Sequence, residues 1–298
     1  MNQVSKKTDS GIPPGPSPRK EKLPLPFRSI LHPTDLAPER MNAFYHALLF
    51  SLTSRCQLDI LNITSPTYSQ EASPFPSIRK TLVDWKKIPP GDVTTDVCDL
   101  GIIPRKMSTT GSLIPTVVEA MKREAYDLLV LSTHNYKTRS KSFVGSKAEI
   151  IARRSEIATL FIPCDCPGFI QPDSGEVTLK RILMPVAENP HPQLAVSKLS
   201  ALLQQLALTH CEVVLLFIGK PQKFPRLQLT GMVGVQWLQL CRRGSLTETI
   251  LEFSEGWNPD LVVMPTSSNL KSEGSVFASQ TERVLRDCHC PLLALPVR

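Results

Sequence analysis

RSILHPTD (residues 28–35) is answered by RILMPVAE (residues 181–188), aligned so that Pro33 meets Pro185. A long helical pattern follows each: ERMNAFYHALLFSLTSRC in the first half, HPQLAVSKLSALLQQLALTHC in the second. Apolar runs come next, LDILNI (58–63) and EVVLLFI (212–218). Further on, AYDLLVLST (125–133) matches NPDLVVMPT (258–266), with Asp127 opposite Asp260. A repeat this long is a duplicated domain, since solenoid units run roughly 20–50 residues.

Within the first half the pattern predicts strand 28–32, helix 39–55, strand 57–63, a helix near 76–86 and strand 93–99. Helix 112–125, strand 127–132, helix 145–155 and strand 158–162 complete it. Ser112 stands as a candidate N-cap with Pro115 in the first turn, where proline is tolerated. The second half repeats the order with a shorter connection at 219–232, and Ser245-Leu-Thr-Glu248 has the spacing of a capping box. Short apolar strands separated by helices imply a parallel sheet covered on both faces. The expected fold class is α/β, two tandem doubly wound domains with parallel five-stranded sheets. The divisions read from the sequence are a leader at 1–26, a first domain at 27–163, a linker at 164–178 and a second domain at 179–298.

The leader holds Pro13, Pro14, Pro16, Pro18, Pro24 and Pro26 and has little to bury, so it reads as a disordered tail. It also carries five basic residues (Lys6, Lys7, Arg19, Lys20, Lys22) against Asp9 and Glu21, which accounts for +3 of the net +7. The remaining +4 is spread over two domains, with aromatics at 6% and no RNA- or DNA-binding motif, so no nucleic-acid partner is expected. No apolar run reaches the roughly 18 residues of a membrane span, and no secretory signal opens the chain. A cytoplasmic protein without a membrane role is the expectation, its eight cysteines reduced. Cys164-Asp-Cys166 and Cys288-His-Cys290 are C-x-C pairs, shorter than the C-x₂-C spacing of zinc sites, and read as structural thiols with no metal.

Ligands in open α/β sheets sit beyond the carboxyl ends of the strands, at the switch point. Asp35 and the loop STHNYKTRSKSFVGS (132–146) both fall there. The loop ends in Gly145-Ser146 ahead of a helical pattern, which would point free amides and a hydroxyl at an anion. The same residues also have plain structural readings. Gly145 could simply start a helix that Ser146 caps, Asp35 could be a turn residue, and Lys137, Arg139 and Lys141 a solvated face.

The ordered set ILHPTD, DLLVLSTH and GSKAEIIAR, with its counterparts ILMPVA, DLVVMPTSS and ASQTERVLRDCHCPLLALPV, resembles the universal stress protein (UspA) family, as a tandem member. The resemblance covers essentially all of 27–298 and implies the Rossmann-like, adenine nucleotide alpha hydrolase-like fold. ATP-binding members carry Gly-x₂-Gly-x₉-Gly-(Ser/Thr) after the fourth strand and an Asp ending the first. On this chain those positions are Ser132, Asn135, Gly145 and Ser146, with Asp35 present. The second half has Pro265, Ser268, Ala278 and Ser279 instead, with Ala187 in place of the Asp.

Glycine lets such a loop take positive φ and lets phosphate oxygens approach the backbone. Asn135 is the mildest substitute, because Asn visits the left-handed region readily. Ser132 adds a Cβ but also a hydroxyl. Pro265 lacks an N–H to donate, so the second-half site is expected to be lost.

Two readings follow. One is a stress-response regulatory protein that binds ATP with Mg in the first domain: Asp35 at the nucleoside end, the backbone at Ser132, Asn135, Gly145 and Ser146 around the phosphates. The other is a scaffold that binds no nucleotide and works through protein partners. No Walker motif, nucleophile elbow or H-E-x-x-H pair is present, so no enzyme is expected, slow ATP hydrolysis following only from the first reading. The resemblance also implies dimerisation through the last strand of each domain, here ATLFIP (158–163) and PLLALPV (291–297). These could pair within one chain or in a homodimer.

Overall fold

The computed structural model describes residues 27–64, 74–133, 150–151, 157–267 and 276–297. Ten strands form one sheet: β1 (Ser29–Thr34), β2 (Gln57–Thr64), β3 (Ile103–Thr110), β4 (Leu128–Thr133), β5 (Ala158–Pro163), β6 (Arg181–Val186), β7 (Cys211–Ile218), β8 (Val235–Arg242), β9 (Leu261–Ser267) and β10 (Leu292–Val297). Their spatial order is β3-β2-β1-β4-β5-β10-β9-β6-β7-β8. Each half is parallel throughout, and the halves meet at β5 and β10, which pair antiparallel with Leu293 opposite Leu160. The two last strands therefore satisfy each other inside one chain. Each is also paired on its other flank, β5 with β4 and β10 with β9.

Six helices of seven residues or more lie among the described residues: α1 (Met41–Ser54), α2 (Ile78–Asp84), α3 (Leu113–Arg123), α4 (Gln193–Leu206), α5 (Leu246–Trp257) and α6 (Val276–Asp287). None is long and apolar enough to cross a membrane. One face of the sheet packs against α1, α2 and α4 in a core running from Phe27 through Leu48, Phe169 and Leu202 to Val297. The other packs against α3, α5 and α6 through Val117, Ile250 and Val284. Both layers draw residues from both halves.

Central strands are buried on both faces and read as largely apolar runs; the outer strands β3 and β8 alternate half-buried and exposed. α1 buries Phe44, His46, Leu48 and Phe50 on several sides, because the sheet and the inter-half segment both cover it. It stops at Arg55, whose φ of 50° is left-handed.

Two sequence expectations are corrected. The strand placed at 93–99 lies at Ile103–Thr110 instead. Asp92 accepts from the backbone amides of Thr94 and Thr95, and Asp96 caps a 3₁₀ turn at Val97–Leu100 in a capping box with Asp99. That turn chemistry outweighs the β-branched run VTT. The true strand, IPRKMSTT, looked unlike one because it is a polar edge, where Pro104 is tolerated. The second correction concerns Ser245, which is the N-cap of α5 but makes no side-chain capping bond.

Residues 164–178, read as a polar connection, also pack. Phe169 and Ile170 are buried in the core, Ile170 bridges Val177, and the indole of Trp85 donates to the Pro172 carbonyl at 2.7 Å.

Candidate functional site

The crevice at the switch point begins in the register. β1 and β4 pair only at Ile30–Leu128 and Leu31–Leu129, then part. Proline at position 33 is tolerated because β4 no longer borders that part of β1. His32 spans the opening instead: its Nδ1 lies 3.1 Å from the Val130 carbonyl. A carbonyl only accepts, so the proton sits on Nδ1. Burial holds the ring neutral, lowering its pKa to about 4 against the opposing effects of the Val130 bond and the Asp35 charge.

Beyond Thr34 the chain turns sharply. Leu36 adopts a φ of 61°, unusual for a residue other than glycine. Its amide donates to Thr34 Oγ1 at 3.0 Å, and the Ala37 amide donates to Asp35 Oδ1 at 3.2 Å. Asp35 thus stands at the lip of the crevice, 43% exposed, with Arg40 paired to its carboxylate at 2.7 Å. Asp35 is thus a turn residue whose carboxylate is exposed at the strand end.

Ser132 lies on β4, opposite Ile162 of β5, and its Oγ is 3.0 Å from Cys164 Sγ. The structure therefore brings Asp35 and Ser132 to the same end of neighbouring strands, nearly a hundred residues apart in sequence. Asn135, Gly145 and Ser146 lie outside the described residues, as do His134 and the basic loop residues.

The corresponding opening of the second half has the same register break, with β6 and β9 paired only at Ile182–Leu261 and Leu183–Val262. Met184 occupies the position of His32 and Ala187 that of Asp35, while Pro265 lies on β9 opposite Leu295. Neither the bridging imidazole nor a carboxylate at the Asp35 position is present; the next residue, Glu188, pairs with Lys223 at 3.7 Å.

Other polar groups picked out by the repeat are structural. Asp127 accepts from the amides of Arg28 and Ser29, and Asp260 accepts from those of Lys180 and Arg181. Each thereby fastens the start of the first strand in its half. Asp59, fully buried on β2, is held by Arg105 and by the Tyr126 hydroxyl, and Arg105 also pairs with Glu124. This cluster and His32 escaped the sequence reading, because Asp59 meets Arg105 46 positions away and His32 meets Val130 98 positions away. The only hint at His32 was a polar residue inside an apolar strand pattern. No group of three His, Cys, Asp or Glu side chains able to hold a metal occurs among the described residues.

At the switch point the β1–β4 pair opens, with the Asp35 carboxylate exposed beyond β1 and Ser132 at the end of β4, its hydroxyl against Cys164.

Comparison with known proteins agrees with this architecture. The model of the universal stress protein family matches residues 26–163 and 233–296. No curated protein matches the chain. Among solved structures, a universal stress protein from Archaeoglobus fulgidus is 13% identical with a TM-score of 0.58, covering 90% of this chain and 98% of its own. One from Pseudomonas aeruginosa is 14% identical with a TM-score of 0.55, covering 91% and 93%. A universal stress protein in complex with cAMP is 19% identical, covering 46% of this chain and 98% of its own at a TM-score of 0.33.

Proposed function

The chain belongs to the universal stress protein family, and from that premise we propose that it is a stress-response regulator whose first half binds ATP at the crevice between β1 and β4. The observation that carries this reading is the contrast between the two openings. Both strand pairs part after two register positions, but only the first has a carboxylate at the Asp35 position and a serine, Ser132, where the second has Pro265.

The described residues fit such a ligand. Asp35 can accept from the hydroxyls of a ribose, and Ser132 can donate to a phosphate oxygen. Asn135, Gly145 and Ser146 would supply backbone amides around the phosphates, which Mg would accompany. Arg40 does not block the site. An exposed ion pair of this kind contributes about 0–1 kcal/mol, so exchanging it for a ribose contact costs little. The role is binding and regulation rather than catalysis.

The test is a calorimetric titration with MgATP against the Asp35→Ala, Gly145→Val double variant. Saturable binding to the parent chain, lost in the variant, supports the reading. No heat at millimolar ATP, in a protein that remains folded, refutes it.

The second reading, a scaffold for protein partners, draws on one observation. Asp35 and Ser132 already have partners within the chain, Arg40 and Cys164. A null titration would favour it.

A further inference from the structure

Where the two halves meet, the connection after β5 runs beside the turn between α6 and β10. A cavity of about 410 Å³ opens there, lined by Cys166, Gly168, Arg181, Asp260, Cys288 and Cys290 among others. Three of the protein's eight cysteines thus face one space, although two come from one half and one from the connection. Cys288 Sγ and Cys290 Sγ are 3.3 Å apart, in hydrogen-bonding contact, and all eight cysteines are free thiols.

We propose that Cys288 and Cys290 are a redox-active dithiol that reacts with hydroperoxides entering through this cavity and closes to a Cys288–Cys290 disulfide.

Residues two apart in sequence have Cα atoms no more than about 7 Å apart, within reach of a disulfide, and the sulfurs already face each other. The local environment separates the roles of the two thiols. The hydrogen bond from Cys290 lowers the pKa of Cys288, against burial, and the amides of Cys290 and His289 lower it further. The same contact and burial raise that of Cys290, so it keeps its proton. The carboxyl end of α6, which ends at Asp287, works against the thiolate, as burial does. Asp260 and Glu255 also line the cavity, as does Arg181, and Asp260 is occupied by the amides of Lys180 and Arg181 at 2.8 Å.

The chemistry balances in two steps. The Cys288 thiolate attacks one oxygen of the hydroperoxide, the O–O bond breaks, and the other oxygen leaves as an alcohol or water after taking a proton. Cys288 becomes a sulfenic acid. Cys290 then attacks that sulfur, the S–O bond breaks, and water leaves with the thiol proton. The dithiol has lost two electrons and the peroxide has gained them. An external dithiol restores the reduced pair. Cys166, also lining the cavity, is pushed up by burial and remains a thiol in this sequence of steps.

The experiment exploits the chain's own cleavage sites. Trypsin cuts after Arg286, so one peptide, 287–298, carries both cysteines. The full-length reduced protein is treated with hydrogen peroxide, alkylated and digested. The expected result is that this peptide loses two hydrogens and resists alkylation, roughly tenfold faster than exposed Cys98 is modified. In Cys290→Ser a sulfenic acid at Cys288 should be trapped by dimedone, and in Cys288→Ser none should form at Cys290. The wild-type digest stands even if a variant misfolds. The proposal is overturned if 287–298 stays fully alkylatable while Cys98 oxidises, if the bond formed joins Cys166 instead, or if urea-unfolded protein closes the same disulfide just as fast.

Discussion

Acidifying the medium should loosen the protein well before its carboxylates are protonated, and His46 gives the magnitude. It is fully buried on α1, with Nδ1 2.6 Å from the Asn42 carbonyl and Nε2 accepting from the Phe169 amide at 3.2 Å. Phe169 also meets the ring edge-on at 4.5 Å. The amide can only donate, so Nε2 must remain bare. A proton there would face another N–H. Burial accordingly lowers the pKa from 6.5 to about 4. The unfolded chain therefore binds a proton that the folded one refuses, and stability present above pH 6.5 is lost as the pH falls toward 4. Each unit costs about 1.4 kcal/mol per histidine. His32, lowered equally by burial, doubles the slope. At pH 5 the two together remove about 4 kcal/mol, a large part of the roughly 5–15 kcal/mol that holds a domain folded. Urea unfolding followed by tryptophan fluorescence at pH 7.5, 6 and 5 should show the midpoint falling by more than about 1 M. The His46→Gln variant should start lower at pH 7.5 yet decline about half as steeply. Equal slopes for variant and parent would refute the argument.

Gly168 sits against the same imidazole, with φ +74° and a would-be Cβ 2.2 Å from His46 Cε1; Gly168→Ala should therefore cost roughly 2–4 kcal/mol in urea unfolding, without changing the fold by circular dichroism. Asp59→Ala should cost about 3 kcal/mol, because it strands the buried Tyr126 hydroxyl and removes the buried partner of Arg105, which keeps only Glu124. Glu124→Ala, which removes the exposed member of that cluster, should change the melting temperature little. Fluorescence-monitored melting of the pair checks both.

The repeat carried most of the fold. Apolar runs placed the strands near 28, 57, 127 and 158 because these are buried on both faces and carry aliphatic stretches such as LLVL and IL. β3 was missed for the opposite reason. This edge strand covers its side chains only partly, so IPRKMSTT has no long apolar run, while the Thr-rich loop before it imitates a strand. The matching Asp127 and Asp260 were visible as letters, but their hold on Ser29 and Arg181 is a contact between strand ends far apart in sequence. At the candidate site Asp35 was legible and Arg40 beside it was not assigned. His32 was invisible as a bridge, since its partner Val130 offers only a backbone carbonyl. The polar composition of 164–178 concealed Phe169 and Ile170, two residues that only tertiary packing distinguishes from surface.

The antiparallel seam between β5 and β10 has a consequence for how the two halves could diverge. When two identical chains meet across such a seam, any substitution on one side appears on the other, so neither copy can change alone. Here both sides are encoded separately and joined at a fixed ratio of one to one, independent of dilution. A proline at position 265 or an alanine at 187 alters one opening and leaves its twin at Asp35 untouched. Covalent pairing thus releases the second half from the constraint that symmetry imposes, and asymmetry becomes heritable.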